Sequence, residues 1–155
     1  NDSLKFKTLS GRTVYGGGGV IPDVFVPYDT SMNSNLLFDI LSKNLIRNYA
    51  IKFYTAKKIK GFDYDDVVQN IDSNKIVNSF KTFCKTKEVL WSEQDWKTSR
   101  KYIINKLLAS IVRVRFGNNG YFKKSAEIDP DIQQALDVLT SSNSGLTFDN
   151  NQQKN

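Results

Sequence analysis

Ser10–Asp23 reads SGRTVYGGGGVIPD, with Phe6-Lys7-Thr8 just before it. Phe6-Lys7-Thr8 alternates in side-chain character, as a half-exposed strand does. Ser10-Gly11 can reverse the chain because glycine tolerates positive φ, and Thr13-Val14-Tyr15 suits the returning strand. Gly16 to Gly19 then permit a side-chain-free corner. Pro22 restricts Ile21 to extended backbone, and Val24-Phe25-Val26, ended by Pro27, reads as a third short strand. Residues 1–27 are therefore expected to be a β piece of two to three strands.

The glycine run is not a phosphate-binding loop. No Gly-Lys-Ser/Thr accompanies it, and Val20-Ile21-Pro22 stands where a helix would have to begin. A flexible linker is the competing reading, but the spaced apolar-Pro-Asp that follows favours a built corner.

Downstream the hydrophobic period changes to that of a helix. After a polar connector, Tyr28–Asn33, a cap at Asn33 or Ser34 introduces Leu36, Leu37, Ile40 and Leu41 at helical spacing. Lys43-Asn44 suits a stop, since asparagine accepts a left-handed cap. A second helix is expected from Leu45 to about Lys58, with Leu45, Ile46, Tyr49, Ala50 and Phe53 inward, ended by a basic run and Gly61. Asp63–Ile71 reads as a short helix or turn, and Asp72-Ser73 caps a stripe of Ile76, Val77, Phe80, Phe83 and Cys84. Ser92 to Asp95 resembles a capping box and opens the longest helix, with Trp96, Ile103, Leu107, Ile111 and Val114 inside and Lys97, Lys101 and Arg115 off the stripe. Glu93 to Phe116 would be about 36 Å long, and Gly117-Asn118-Asn119-Gly120 is expected to end it. Tyr121–Lys124 reads as one helical turn on the core. Asp129 caps a last helix with Pro130 at its first position and Ile132, Ala135, Leu136 and Leu139 as its buried edge. The expected class is mainly α: a helical domain over 28–140, then a mobile polar tail over 141–155 apart from docking of Leu146 and Phe148.

Composition narrows the chemistry. The chain has 155 residues, 39% hydrophobic and 25% charged, enough for a core without staples. It has no histidine, which removes Ser-His-Asp and Cys-His catalysis and the commonest transition-metal ligand. The lone Cys84 excludes an internal disulfide. The longest apolar stretch near the middle, Leu107–Val112, is too short to span a bilayer. Net charge is +6, with basic stretches at 34–60 and 96–125 around an acidic one at 61–95. Alternating stretches of this kind favour mutually compensating solvated faces over a nucleic-acid surface. Asp63, Asp65 and Asp66 lack the glycine and downstream glutamate of a calcium loop, and capping explains Asp129 and Asp131. Tyr54, Phe62, Tyr121 and Phe122 read as core residues. No cofactor or metal is expected.

Phe6–Val26, FKTLSGRTVYGGGGVIPDVFV, resembles the end of the protease domain in the carboxy-terminal processing peptidases, or tail-specific proteases. The matching positions are Thr8, Gly11, Arg12, Val14, Gly18, Gly19, Val20, Pro22 and Asp23, with Val20 where the family usually has isoleucine. The helical block that follows resembles the family to about residue 58, and the aromatic pair, Asp and Gln-Gln-Ala-Leu near the end match more weakly. These positions mark scaffold and carry no chemistry. The resemblance implies a serine endopeptidase with a lysine general base, acting outside the cytoplasm on protein substrates near their C-termini. Neither dyad motif stands in this chain: Lys60-Gly61 has Tyr64 where the family has glutamine, and Ser141–Gly145 lies in the tail. The chain alone is expected to be inactive. Its expected partners are an upstream protease domain of the same parent, protein substrates, or a second copy that exchanges arms. The reading from another class is a free-standing helical module whose basic faces bind protein or nucleic acid.

Overall fold

The computed structural model describes residues 5–9, 11, 13–16, 24–57 and 63–141. A hairpin, β1 (Lys5–Lys7) and β2 (Thr13–Tyr15), precedes six helices: α1 (Asn35–Ser42), α2 (Leu45–Lys57), α3 (Tyr64–Gln69), α4 (Ser73–Lys85), α5 (Glu93–Ser125) and α6 (Pro130–Thr140). A 3-10 turn, Ala126–Ile128, joins the last two. The fold is mainly α with a short β piece.

The strands pair antiparallel, Phe6 opposite Val14. Gly11 takes φ 80, and its N–H donates to the Thr8 carbonyl at 2.9 Å, so the glycine is what lets the turn close. The expected third strand at Val24–Val26 does not form. That segment shares a groove with Ala135, Val138 and Leu139 of α6 instead of pairing with β2. The arginine of the turn, most of the glycine corner and the Pro-Asp step, together with residues 58–62 and 142–155, lie outside the described residues.

Local capping sets the helix starts. Ser34 accepts from the Leu37 N–H at 3.1 Å, Asp63 from Asp66 at 2.9 Å, Asp72 from Asn74 and Lys75, Ser92 from Asp95 at 3.2 Å, and Asp129 from Asp131 and Ile132. Each satisfies a donor that the helix itself leaves open. Asn44 adopts φ 52, the left-handed stop between α1 and α2.

Asp95 does not close the expected capping box. Its Oδ2 instead accepts the Leu36 N–H at 3.1 Å, so the start of α5 caps the start of α1. One turn on, the buried Ser99 donates through Oγ to the Met32 carbonyl at 2.6 Å and lies 2.7 Å from Ser34 Oγ. This polar knot fixes the two helix starts side by side without leaving a buried hydroxyl unpaired.

The core is the stripe of α5 that α1, α2 and α3 pack on. Ile103, Leu107, Ile111 and Val112 are fully buried there, with Leu36, Ile40, Leu45 and Val67 from the helices around them. Behind α2, Tyr49 meets Phe80 of α4 edge-on, centroids 5.1 Å apart, and donates to the Ile76 carbonyl at 3.3 Å. Val77 and Phe83 sit at the margin of this cluster, half-buried. Cys84 is buried beside it. Desolvation, with a smaller contribution from the Asp39 carboxylate, pushes its thiol up to about 12, so it is an inert core residue and not a nucleophile.

Three expected inner positions prove exposed. Leu41 and Val114 are exposed because they line an open cleft beside α5, and Val112 takes the buried place near the helix end. Phe122 is exposed as well, while Tyr121 and Tyr54 are half-buried. The larger correction concerns α6. Ile132, Leu136 and Leu139 are 43–57% exposed and Ala135 is exposed, so the helix that reads as buried-edged has no buried residue. It is held by the 3-10 turn, by its cap and by Gln133, which donates to the Ala126 carbonyl at 2.9 Å. Nothing among the described residues covers its apolar face.

Candidate functional site: a basic, tyrosine-braced cleft and an uncovered arm

Gly117 (φ 62, ψ −152) breaks α5 as the sequence predicts, but Asn118, Asn119 and Gly120 are already helical again. In a straight helix Asn105 and Lys124 would stand about 28 Å apart along the axis. Instead Asn105 Nδ2 donates to the Lys124 carbonyl at 2.9 Å. Residues 118–125 therefore fold back along residues 105–116, and α5 is a helical hairpin. Gly120 permits the tight return: a Cβ there would stand 2.7 Å from Phe116 Cβ. Lys123 ties the returning arm to α3, at 3.2 Å from Asp65 and 4.0 Å from the Tyr64 ring centroid.

The reversal carries Tyr121 back to the middle of α5. Lys106 Nζ lies 3.4 Å from Tyr121 Oη and 5.4 Å from the centroids of both Tyr121 and Tyr102. The Arg113 guanidinium lies 5.3 Å from the same Tyr121 ring. Two cations on one ring would repel, and the electron-rich ring face offsets part of that repulsion. With Arg47 of α2 these cations line a cleft of about 480 Å³ between α1, α2 and α5. Among the described residues no acidic one lines it. Its apolar wall includes Leu41, Ile51 and Val114, each at least 40% exposed.

The expectation of compensating faces holds only in part. Lys123–Asp65 does join a basic stretch to the acidic one. Lys43–Asp39, Lys75–Asp72 and Lys124–Glu127 are local pairs along one helix or turn, and Lys81–Glu93 joins two residues of the same stretch. Arg47, Lys106 and Arg113 form no ion pair among the described residues. They are part of the unmatched basic charge, and the sequence hides them as a group because Arg47 reaches the other two through the packing of α2 on α5, while the Gly117 reversal adds Tyr121.

The residues of the motif are dispersed in outcome. Thr8, Gly11 and Val14 form the hairpin, and Val14 is exposed at 38%. Arg12, Gly18, Gly19, Val20, Pro22 and Asp23 lie outside the described residues, as do Lys60-Gly61, Phe62 and residues 142–145. Every residue of β1 and β2 is exposed, and so are Val24, Phe25 and Tyr28. Asp63 and Asp65 are engaged as a cap and an ion pair. Among the described residues no group of three or more His, Cys, Asp or Glu could hold a metal ion, and no helix is long and apolar enough to cross a membrane.

A model described as a family of unknown function, DUF8443, matches residues 36–117, from the start of α1 to the reversal of α5. No curated protein and no solved structure matches the chain.

Proposed function

Because the chain belongs to DUF8443, a family of unknown function, we propose a role from its own residues: the C-terminal region of a carboxy-terminal processing serine peptidase. Its part there is to dock or position substrate, with the serine and lysine of the dyad upstream in an extracytoplasmic parent. The family match itself names no activity. The observation that carries the reading is the uncovered arm. A two-stranded hairpin alone is marginal in water, and here every strand residue is exposed. Open edges recruit further strands, and the sequence of this arm, from Thr8 through Asp23, is the part that resembles the closing strands of such a protease domain. The bare apolar face of α6 and its groove with Val24 and Val26 add surface for the same neighbour.

The test uses two measurements on the native protein. An antibody against α4 and α5 should isolate from the source cells a species larger than 17.7 kDa that cleaves an unstructured protein near its C-terminus. The isolated 155-residue chain should not cleave it. A native species of 17.7 kDa without peptidase activity would overturn the proposal and favour a free-standing helical module. Cleavage by the isolated chain, abolished by changing one of its own serines or lysines, would also overturn it.

A further inference from the structure

We propose that the cleft between α1, α2 and the two arms of α5 binds a phosphate monoester carried on an apolar body. This goes beyond the docking role and does not depend on it. Arg47, Lys106 and Arg113 line one space with no carboxylate of the described residues among its walls. A phosphate monoester carries between one and two negative charges near neutral pH and offers three acceptor oxygens. That suits two guanidinium forks and an ammonium better than a single carboxylate does. Tyr121 holds Lys106 and Arg113 on one ring before any ligand arrives, and groups already placed lose less freedom on binding. Leu41, Ile51 and Val114 form an exposed apolar wall in the same cleft, which inorganic phosphate would leave wet and an attached hydrocarbon body would cover. The volume, about 480 Å³, lies within the range of small-ligand sites.

The experiment titrates the full chain by calorimetry with hexyl phosphate, hexanoate and inorganic phosphate. Hexyl phosphate should bind at one saturable site, more tightly than either control. Arg47→Gln and Arg113→Gln should each weaken it about tenfold or more with an unchanged thermal unfolding curve, since both side chains are exposed. Leu41→Gln should weaken hexyl phosphate and leave inorganic phosphate unaffected. Sedimentation with phosphatidate-containing vesicles separates the two sources of this chemistry: capture lost in Arg113→Gln identifies a lipid headgroup, and its absence beside hexyl phosphate binding identifies a soluble ester. Failure of hexyl phosphate to saturate, or equal binding of hexanoate, overturns the proposal. So does binding indifferent to both arginine variants, or duplex DNA competing more tightly at the same residues.

Discussion

Gly117→Ala should lower stability by about 1–3 kcal/mol, the range for a residue forced into backbone territory that only glycine occupies freely. Gly117 sits at φ 62, ψ −152. A Cβ added there meets nothing within 4 Å, so the whole penalty is backbone strain and none of it steric filling. The loss should fall on the returning arm. Amide exchange at residues 118–125 should accelerate, and the Asn105 to Lys124 bond and the Lys106–Tyr121 contact should loosen with it. Urea unfolding followed by Trp91 and Trp96 gives the global value, and hydrogen exchange gives its location. Wild-type stability in Gly117→Ala would mean that residues 93–125 accept a continuous helix, contradicting the hairpin.

Phe80→Ala should be more damaging, at about 3–5 kcal/mol, the cost of emptying a large aromatic site that collapses only in part. Phe80 is 1% exposed and is the largest side chain among the fully buried ones. Its ring packs edge-on against Tyr49 and stacks at 6.5 Å with Phe83. Removing it takes the partner from Tyr49, whose hydroxyl ties α2 to α4 through the Ile76 carbonyl. The midpoint of urea unfolding should fall with the slope unchanged, because the native state stays compact. A loss below about 1 kcal/mol would place α4 outside the core.

The helices were legible because their signals are local. Ser34, Asp72, Ser92 and Asp129 cap as their residue types and spacing predict, and Asn44 stops α1 as a left-handed asparagine can. What the sequence concealed is set by tertiary geometry. Asn118-Asn119-Gly120 has poor helix propensity, yet it is helical because Asn105, Lys106 and Asp65 hold the arm that follows. The period of α6 is amphipathic, but amphipathicity names the face that wants burial and not the partner that buries it. The same limit applies to Val114, whose stripe position faces a cleft. Lys106 and Arg113 stand two turns apart on one arm of α5, Arg47 joins them because α2 packs on that arm, and the reversal adds Tyr121. The strands read at Phe6–Thr8 and Thr13–Tyr15 form as a hairpin at Lys5–Lys7 and Thr13–Tyr15. The third did not: Val24–Val26 is not a strand, and Val24 and Val26 line a groove with α6.

The central claim is that the helices from α1 to α6 stand on their own while the arm awaits a neighbour. Deleting residues 1–27 and following thermal unfolding, with the mass in solution, tests it most directly. The buried core lies wholly between Leu36 and Val112, so the shortened chain should unfold cooperatively at nearly the full-length temperature. Any self-association of the full-length protein through its exposed strands should disappear. Loss of the helical fold on deletion would make the arm an integral core element and contradict the account.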